Sequence, residues 1–209
     1  MNRGLFIVFE GGEGSGKSHH SRVIADRLSA AGHALTHTHE PGGTELGHQI
    51  RKIILAESDF LLNPRAELLL FLADRAQHVE QIIVPALAAG QIVICDRFSG
   101  STIAYQIGAR RLPDPQMIIK MDTYARGGLT PDLVIYLDID PKVGLGRKKQ
   151  GGQELNRLDH ESLQFHQRVR ESFLKQVDEN ESWISVSTDG PGDLNSDKIL
   201  EVINSKLSL

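Results

Sequence analysis

The sequence predicts an α/β fold, a three-layer α/β/α arrangement around a five-stranded parallel sheet, and three observations lead to this prediction. Apolar runs typical of buried strands recur at Leu5–Glu10, Gln91–Asp96, Leu133–Asp138 and Trp183–Ser187, and Ala34–His39 is a fifth candidate strand. Helical patterns separate the runs, and strands that alternate with helices form parallel sheets covered on both faces. A glycine-rich loop joins the first run to the first helical pattern. Because Ala34–His39 alternates with polar residues, we expect it at an edge of the sheet.

The loop after the first strand has the pattern of a phosphate-binding site. It reads Gly11-Gly-Glu-Gly-Ser-Gly-Lys-Ser18, which fits G-x-x-x-x-G-K-[ST], and it lies between a strand and a helix as that motif requires. Glycines let the backbone N–H groups turn inward, and the helix N-terminus adds partial positive charge. We expect Lys17 to reach the β- and γ-phosphates and Ser18 to bind Mg²⁺. The alternative is a plain glycine turn, but a chance match has odds on the order of one in a hundred at ordinary glycine usage.

Helical patterns fill the intervals between the strands. The first helix should end near Ala31, with Gly32 as its C-terminal cap. The longest pattern, Pro64 to Ala89, should bend near Pro85, because proline cannot donate a hydrogen bond inside a helix. The other expected helices follow Thr44, span Pro115–Arg126, run from about Ser162 to Glu179, and end the sequence from Leu194 to Leu207.

Length and composition indicate one globular domain, residues 1–209, in the cytoplasm. The chain has 40% hydrophobic and 24% charged residues, and its net charge of −4 argues against wholesale binding to nucleic acid or to a membrane. The single cysteine, Cys95, excludes an internal disulfide, fits a reducing compartment, and is expected to be a buried hydrophobe. We find no signal-peptide pattern and no apolar run near the ~20 residues that a membrane span needs.

Charged residues end one of the buried strands. Asp96-Arg97 stands where ligands bind in parallel sheets, beyond the carboxyl end of a strand. Arg97 could bind a phosphate bidentately, and Asp96 could accept from a metal-bound water or hold Arg97. A strand-end ion pair is the alternative. Arg51 is a second candidate for a substrate phosphate, or else an ordinary exposed arginine.

An aromatic residue and an arginine share one face of the long helix. Phe71 and Arg75 are four residues apart, so a nucleobase could stack on the ring while Arg75 donates to a base carbonyl. A core phenylalanine beside a surface arginine is the alternative. Further along, a predicted helical turn offers polar groups on one side: Ser101, Thr102, Tyr105 and Gln106.

The segment after the fourth strand is basic and rich in glycine. Gly146–Gly152 is expected to be a mobile loop within a lid of about residues 146–158, whose cations are Arg147, Lys148, Lys149 and Arg157. Basic residues on a hinged loop suit a lid that neutralises charge and excludes water during phosphoryl transfer. A solvated basic loop has the same pattern and remains an alternative.

Taken together, these motifs resemble those of the bacterial thymidylate kinases, in the nucleoside monophosphate kinase group. The resemblance runs from Phe9 to about Phe173. Its motifs are Phe9-Glu-Gly-Gly-Glu-Gly-Ser-Gly-Lys-Ser18, Glu40-Pro-Gly-Gly-Thr44, Phe71-x-x-x-Arg75, Asp96-Arg-Phe-x-x-Ser-x-x-Ala-Tyr-Gln106 and Pro131-Asp-Leu-x-x-x-Leu-Asp138. It implies the fold of P-loop nucleoside triphosphate hydrolases, a homodimer, and transfer of the γ-phosphoryl of ATP to dTMP with Mg²⁺, in dTTP biosynthesis.

The resemblance also implies residue roles. ATP would be bound by Gly11, Gly12, Glu13, Gly14, Ser15, Gly16, Lys17, Ser18 and Arg147, and Mg²⁺ by Ser18 and, through water, Asp96. The dTMP-binding residues would be Glu13, Pro41, Arg51, Leu55, Phe71, Arg75, Arg97, Ser101, Thr102, Tyr105 and Gln106. Within that set, Phe71 would stack on thymine, Thr102 and Gln106 would contact its polar edge, and Tyr105 would occupy the space of a ribose 2′-hydroxyl. The catalytic groups would be Lys17, Arg97, Glu13, Arg147 and Lys149.

The resemblance leaves the lid cation open. Family members carry a catalytic arginine either in the phosphate loop or in the lid, and the loop positions here, Gly12 to Ser15, contain none. The lid is therefore expected to supply it, yet this lid has more lysine than the family pattern. The candidates are Arg147, Lys148, Lys149 and Arg157.

Two other activities would use a similar phosphate loop. A deoxynucleoside kinase would phosphorylate a 5′-hydroxyl, which needs a carboxylate base where this sequence has Arg51 and Arg97. A nucleotide switch such as a small GTPase would need an Asn-Lys-x-Asp motif, which is absent from the sequence.

Overall fold

Five parallel strands form one sheet at the centre of the part of the chain that the structure describes. The structure is a computed structural model, and it describes residues 3–56, 61–151, 155–189 and 192–207. The strands are β1 (Phe6–Gly11), β2 (Leu35–His39), β3 (Ile92–Asp96), β4 (Leu133–Asp138) and β5 (Trp183–Ser187). Their order is β2-β3-β1-β4-β5, so β1 is central and β2 is an edge strand. The predicted fold class and the predicted edge position of β2 are confirmed.

Helices connect the strands and cover the sheet. They are α1 (Lys17–Ala30), α2 (Glu45–Leu55), α3 (Pro64–His78), α4 (Val84–Ala88), α5 (Ser99–Thr102), which a π-helical segment (Ile103–Ala109) continues, α6 (Pro115–Ala125), α7 (Pro141–Gln150), α8 (Leu163–Glu179) and α9 (Gly192–Leu207). Gly32, with φ of +94°, follows the C-terminal end of α1 as predicted.

The two faces of the sheet explain why the strands are apolar throughout. Successive side chains of β1 point to opposite faces, and both faces are buried. Ile7 and Phe9 pack with residues of α1 and α9, whereas Phe6 and Val8 pack with α4 and the turn before it. Cys95 is buried in the second of these clusters, as expected of a small hydrophobic residue.

The long helical stretch is interrupted before its proline rather than at it. Residues 79–83 form a π-helical turn between α3 and α4, in which the N–H of Val84 donates to the carbonyl of Val79. Pro85 lacks an N–H group, so the adjacent backbone cannot continue a regular α-helical ladder. The predicted irregularity near Pro85 therefore takes the form of a widened turn.

The prediction of a loop from Gly146 is wrong for residues 146–150. They form the second half of α7, which begins with Asp140 as its N-cap and Pro141 in its first turn. The cations of the last turn, Arg147, Lys148 and Lys149, stabilise its C-terminal end through the helix dipole and oppose the low helix propensity of glycine. Residues 152–154 of the predicted lid lie outside the described residues.

Candidate active site

A cavity of about 630 Å³ opens at the carboxyl edge of the sheet, where the segments after β1, β2 and β3 meet. Ligands bind at this position in open parallel sheets. The predicted site residues that line it are Glu13, Gly14, Gly16, Lys17, Ser18, Pro41, Arg51, Leu55, Phe71, Arg75, Asp96, Arg97, Ser101, Thr102, Tyr105, Gln106 and Arg147. The predicted residues outside this lining are Gly11, Gly12, Ser15 and Lys149.

Two glycines give the phosphate loop its shape. Gly14 and Gly16 have φ angles of +70° and +84°, which glycine adopts without a steric penalty. Gly16 immediately precedes α1, so the unpaired N–H groups in the first turn of this helix lie at the cavity. A Cβ atom on Gly14 would lie 2.0 Å from the carbonyl oxygen of Gly144 in α7. The loop can therefore contact α7 only because it carries glycine there.

The backbone carbonyl of Gly12 holds the side chain of Lys17 in place. It accepts from Ser15 Oγ at 2.9 Å and from Lys17 Nζ at 2.7 Å. Gly12 and Ser15 thus hold the loop together rather than face the cavity. Burial and the charge of Arg97 lower the pKa of the Lys17 ammonium to about 8. Lys17 is a cation aimed at the space that phosphates would occupy.

Ser18 and Asp96 form a pair of oxygen donors beside this lysine. Ser18 Oγ donates to Asp96 Oδ2 at 2.5 Å. Asp96 Oδ1 is buried and has no hydrogen-bond partner among the described residues. A hydroxyl and a carboxylate are the hard ligands that Mg²⁺ prefers, and Mg²⁺ keeps several of its waters when bound. The unpaired carboxylate oxygen fits an acceptor for one of those waters.

Arg97 adopts a backbone conformation that is unusual for a residue with a side chain. Its φ is +74°, and such strain is found mainly where function requires it. The guanidinium donates to Glu13 Oε1 at 2.7 Å and to the Gly11 carbonyl at 3.0 Å. The hydroxyl of Tyr105 also donates to Glu13 Oε1, at 2.9 Å. Burial alone would raise the pKa of Glu13, but the charges of Arg97, Lys17 and Lys148 lower it well below its usual range.

Glu10 holds the turn that follows Arg97. Its carboxylate accepts from the backbone N–H groups of Phe98 and Ser101, both at 2.9 Å, and from Ser101 Oγ at 2.6 Å. Burial raises the pKa of Glu10 to about 7, against the opposing effect of these hydrogen bonds. Glu10 has no predicted role, although a carboxylate at the end of a buried strand is a signal for one.

Arg75 lies at the base of the cavity inside a buried ion cluster. It is 2% exposed, and it donates to Glu40 Oε2 at 2.9 Å and to Asp122 Oδ1 at 2.5 Å. Its Nη1 also donates to Thr102 Oγ1 at 2.6 Å. The sequence does not predict that Glu40 and Asp122 bind Arg75, because they lie 35 and 47 residues away from it. Arg75 is thus a fixed, permanently charged donor next to the half-buried ring of Phe71.

Arg51, on α2, also lines the cavity. Its Nη1 donates to the carbonyl of Pro41 at 2.9 Å, which holds the guanidinium beside another lining residue. Leu55, from the same helix α2, supplies an apolar surface. The cavity is also lined by basic and imidazole groups that the sequence analysis left aside: His19, Arg22, His37 and His39.

The four candidate lid cations differ in their positions relative to the cavity. Lys148 lines the cavity, where Nζ lies 3.4 Å from Glu13 and 2.6 Å from Asp159. Arg147 also lines it but donates to the carbonyl of Thr188 at 2.8 Å. Lys149 is exposed and is not part of the lining, and Arg157 pairs with Glu67. The position of Lys149 thus argues against the catalytic role predicted for it.

Comparison with known proteins identifies relatives over most of the chain. A sequence model of the family described as thymidylate kinase matches residues 9–199. A thymidylate kinase of Pseudomonas fluorescens is 45% identical over 177 residues, which cover 85% of this chain and 83% of the relative. One from a Synechococcus strain is 48% identical over 81% of this chain and 79% of its own length. One from Magnetococcus marinus is 43% identical over 90% of each.

None of the helices in the described residues is long and apolar enough to cross a membrane.

Proposed function

The chain belongs to the thymidylate kinase family, and we propose that its cavity binds ATP and dTMP with their phosphates facing each other. In this arrangement the γ-phosphoryl group of ATP is transferred to dTMP, giving ADP and dTDP. The observation that carries the proposal is the set of three cations that line one cavity: Lys17 at the phosphate loop, Arg51 on α2 and Arg97 after β3. Two polyanionic substrates need such cations to approach each other.

On the donor side, the phosphate loop and the start of α1 hold the ATP phosphates through backbone N–H groups. Lys17 stabilises the charge on the transferring phosphoryl group. A bound Mg²⁺ would supply positive charge that offsets the charge of the phosphates. Ser18 would bind the ion directly and Asp96 would accept from one of its waters, since Asp96 Oδ1 has no partner among the described side chains.

On the acceptor side, Phe71 offers a ring for thymine to stack on, and Arg75 donates to a base carbonyl. Thr102 and Gln106 complete the polar edge. The ring of Tyr105 lies against Arg97, with the guanidinium carbon 5.2 Å from the ring centre, and so narrows the space beside the sugar. Glu13 lies between Arg97 and Tyr105, where it can accept from the 3′-hydroxyl.

The transfer itself needs positioning rather than a base. The dTMP phosphate is largely dianionic near neutral pH, since its second pKa is about 6. Arg51 and Arg97 hold this phosphate in line with the γ-phosphorus, and they replace the water that it loses. Closure around the substrates excludes bulk water, which would otherwise accept the phosphoryl group.

Lys148 is the lid cation that the geometry supports best. It comes from α7, which contacts the phosphate loop through Gly144, and its ammonium already lies near Glu13. We assign Arg147 to the ATP side, where it lines the cavity. A lysine in this role supplies a point charge without the bidentate geometry of arginine.

We further propose that the chain forms one domain, residues 1–209, and works as a cytoplasmic homodimer. The neighbouring helices α2 and α3 expose large apolar side chains that a second copy could cover: Leu46, Ile53 and Leu69. The sequence also offers two apolar helical segments for this interface, Leu68–Leu70 and Val84–Leu87. Within them Leu69 and Val84 are exposed, whereas Leu68 and Leu87 belong to the core. The single buried Cys95 is compatible with a reducing compartment.

An assay that couples ADP release to a measured signal tests the proposed function. We expect ADP formation with ATP, Mg²⁺ and dTMP, and little with thymidine, because thymidine has no phosphate for Arg51 and Arg97 to bind. The variant Lys17→Ala serves as the control for contaminating kinases. Preference for thymidine would favour a deoxynucleoside kinase, and ADP release that does not depend on an acceptor would favour a nucleotide switch.

A further inference from the structure

A buried carboxylate lies directly behind the proposed base pocket. Glu67, on α3, is 1% exposed. Its Oε1 accepts from the side-chain amide nitrogen of Gln106 at 3.0 Å and from Arg110 Nε at 3.2 Å. Its Oε2 accepts from Arg110 Nη2 at 3.2 Å and from Arg157. One carboxylate thus meets two guanidinium groups and one primary amide.

The two guanidinium groups keep this carboxylate ionised. Burial alone would raise the pKa of Glu67, but its hydrogen bonds and charge interactions with Arg110 and Arg157 lower it. An ionised carboxylate accepts hydrogen bonds and cannot donate them. The Gln106 group that faces Glu67 must therefore be the NH₂ group, and this follows from the chemistry of the pair.

The fixed amide leaves one polar atom of Gln106 for a ligand. Gln106 lines the cavity, and with its nitrogen held by Glu67, its carbonyl oxygen is the group available at the edge of the base. A carbonyl oxygen can accept from the N3–H of thymine. Cytosine has an unprotonated N3 at the same place, so two acceptors would meet without a hydrogen between them.

We propose that Glu67 is a positioning residue that sets base specificity, by holding the Gln106 amide so that only its carbonyl oxygen faces the base. The proposal rests on the proposed function, because it assumes that dTMP occupies this cavity. Arg75 also discriminates, since it donates to the thymine carbonyl but not to the cytosine amine. Glu67 differs from Arg75 because it does not contact the base itself and acts only through Gln106.

The substitution Glu67→Gln tests this role with nearly constant side-chain size. The oxygen of the introduced amide is needed at the Oε2 position, where both Arg110 and Arg157 donate. Its NH₂ group would then replace Oε1, lose the bond from Arg110 Nε, face Gln106 and turn the Gln106 carbonyl away from the cavity. We expect the ratio of kcat/KM for dTMP to kcat/KM for dCMP to fall on the order of ten- to a hundredfold, as for one mismatched buried hydrogen bond. The KM for ATP should change little.

The matched control is Glu161→Gln. Glu161 binds the same Arg110, at 2.5 Å, but accepts no hydrogen bond from Gln106 among the described residues. We expect this variant to keep the native dTMP-to-dCMP ratio. A second control is the double variant Glu67→Gln with Gln106→Leu, compared with Gln106→Leu alone. Without the amide, Glu67→Gln should no longer change the ratio.

The outcomes distinguish a role of Glu67 in base specificity from a purely structural role. A fall in the ratio that requires Gln106 supports the proposal, whereas equal losses for dTMP and dCMP would show a structural role only. Circular dichroism shows whether Glu67→Gln folds. If it does not, NMR can follow the side-chain NH₂ of Gln106 in the wild-type chain. We expect slow exchange of this NH₂ with solvent, and fast exchange would show that Glu67 does not hold the amide. Failure of the wild-type chain to phosphorylate dTMP would instead refute the proposed function.

Discussion

Removal of the buried charge at Arg75 should destabilise the protein strongly. The side chains of Arg75, Glu40 and Asp122 are 2%, 3% and 7% exposed. The substitution Arg75→Met removes the arginine from both buried carboxylates and leaves only His78 beside Glu40 and Arg126 beside Asp122. Breaking a buried pair from one side costs about 3–5 kcal/mol. In a chain of this length each kcal/mol lowers the Tm by about 2–4 °C, so the Tm should fall by about 6–20 °C.

Thermal denaturation followed by circular dichroism, without nucleotides, measures this effect. The control is Arg27→Met, which removes an equally short pair with Asp197, 2.5 Å, at a site where the two side chains are 38% and 57% exposed. Exposed pairs contribute about 0–1 kcal/mol, so the control should lose at most about 4 °C. A Tm of Arg75→Met within about 2 °C of that of the control would show that burial of the cluster adds little to the cost of losing the arginine.

Two further predictions concern the substrates. Because burial and Arg97 lower the pKa of Lys17 to about 8, the free enzyme loses this cation as the pH rises through that value, and kcat/KM for ATP should fall above about pH 8. A pH profile of Lys17→Arg should lack that descending limb, and an unchanged limb would assign it to another group. The substitution Phe71→Ala removes a base-stacking contact of about 1–3 kcal/mol, so steady-state kinetics should show KM for dTMP rising by about 5- to 150-fold with less change for ATP. Equal losses for both substrates would contradict the base-stacking role.

The sheet and the phosphate loop could be predicted because their signals are local. A continuous apolar run such as Phe6 to Phe9 identifies a strand buried on both faces. The glycines, Lys17 and Ser18 stand in one short segment, so their pattern determines their relative positions. The residues of the acceptor side could be named only through the combination of several motifs in order.

The position of the lid cation depended on a helix that the sequence analysis missed. Gly144 and Lys148 are four residues apart on α7 and therefore share one face of that helix. Since Gly144 packs against the Glu13 carbonyl, Lys148 and not Lys149 reaches the Glu13 side chain. If this segment is interpreted as a loop, nothing distinguishes Lys148 from Lys149 as the lid cation.

Buried ion partners were beyond sequence reasoning for a different reason. Glu40, Glu67 and Asp122 each pair with an arginine more than thirty residues away. No periodicity relates such positions, because their contacts arise only when separate helices and strands pack together. The charge of these residues at buried positions becomes meaningful once the fold is known.

The most direct test of the head-to-head arrangement is a crystal structure of the protein with dTMP and a non-hydrolysable ATP analogue. We expect the thymine ring against Phe71, the dTMP phosphate between Arg51 and Arg97, and the triphosphate along the loop that ends at Ser18. A thymine ring bound elsewhere, or a dTMP phosphate that contacts neither arginine, would rule out the head-to-head arrangement.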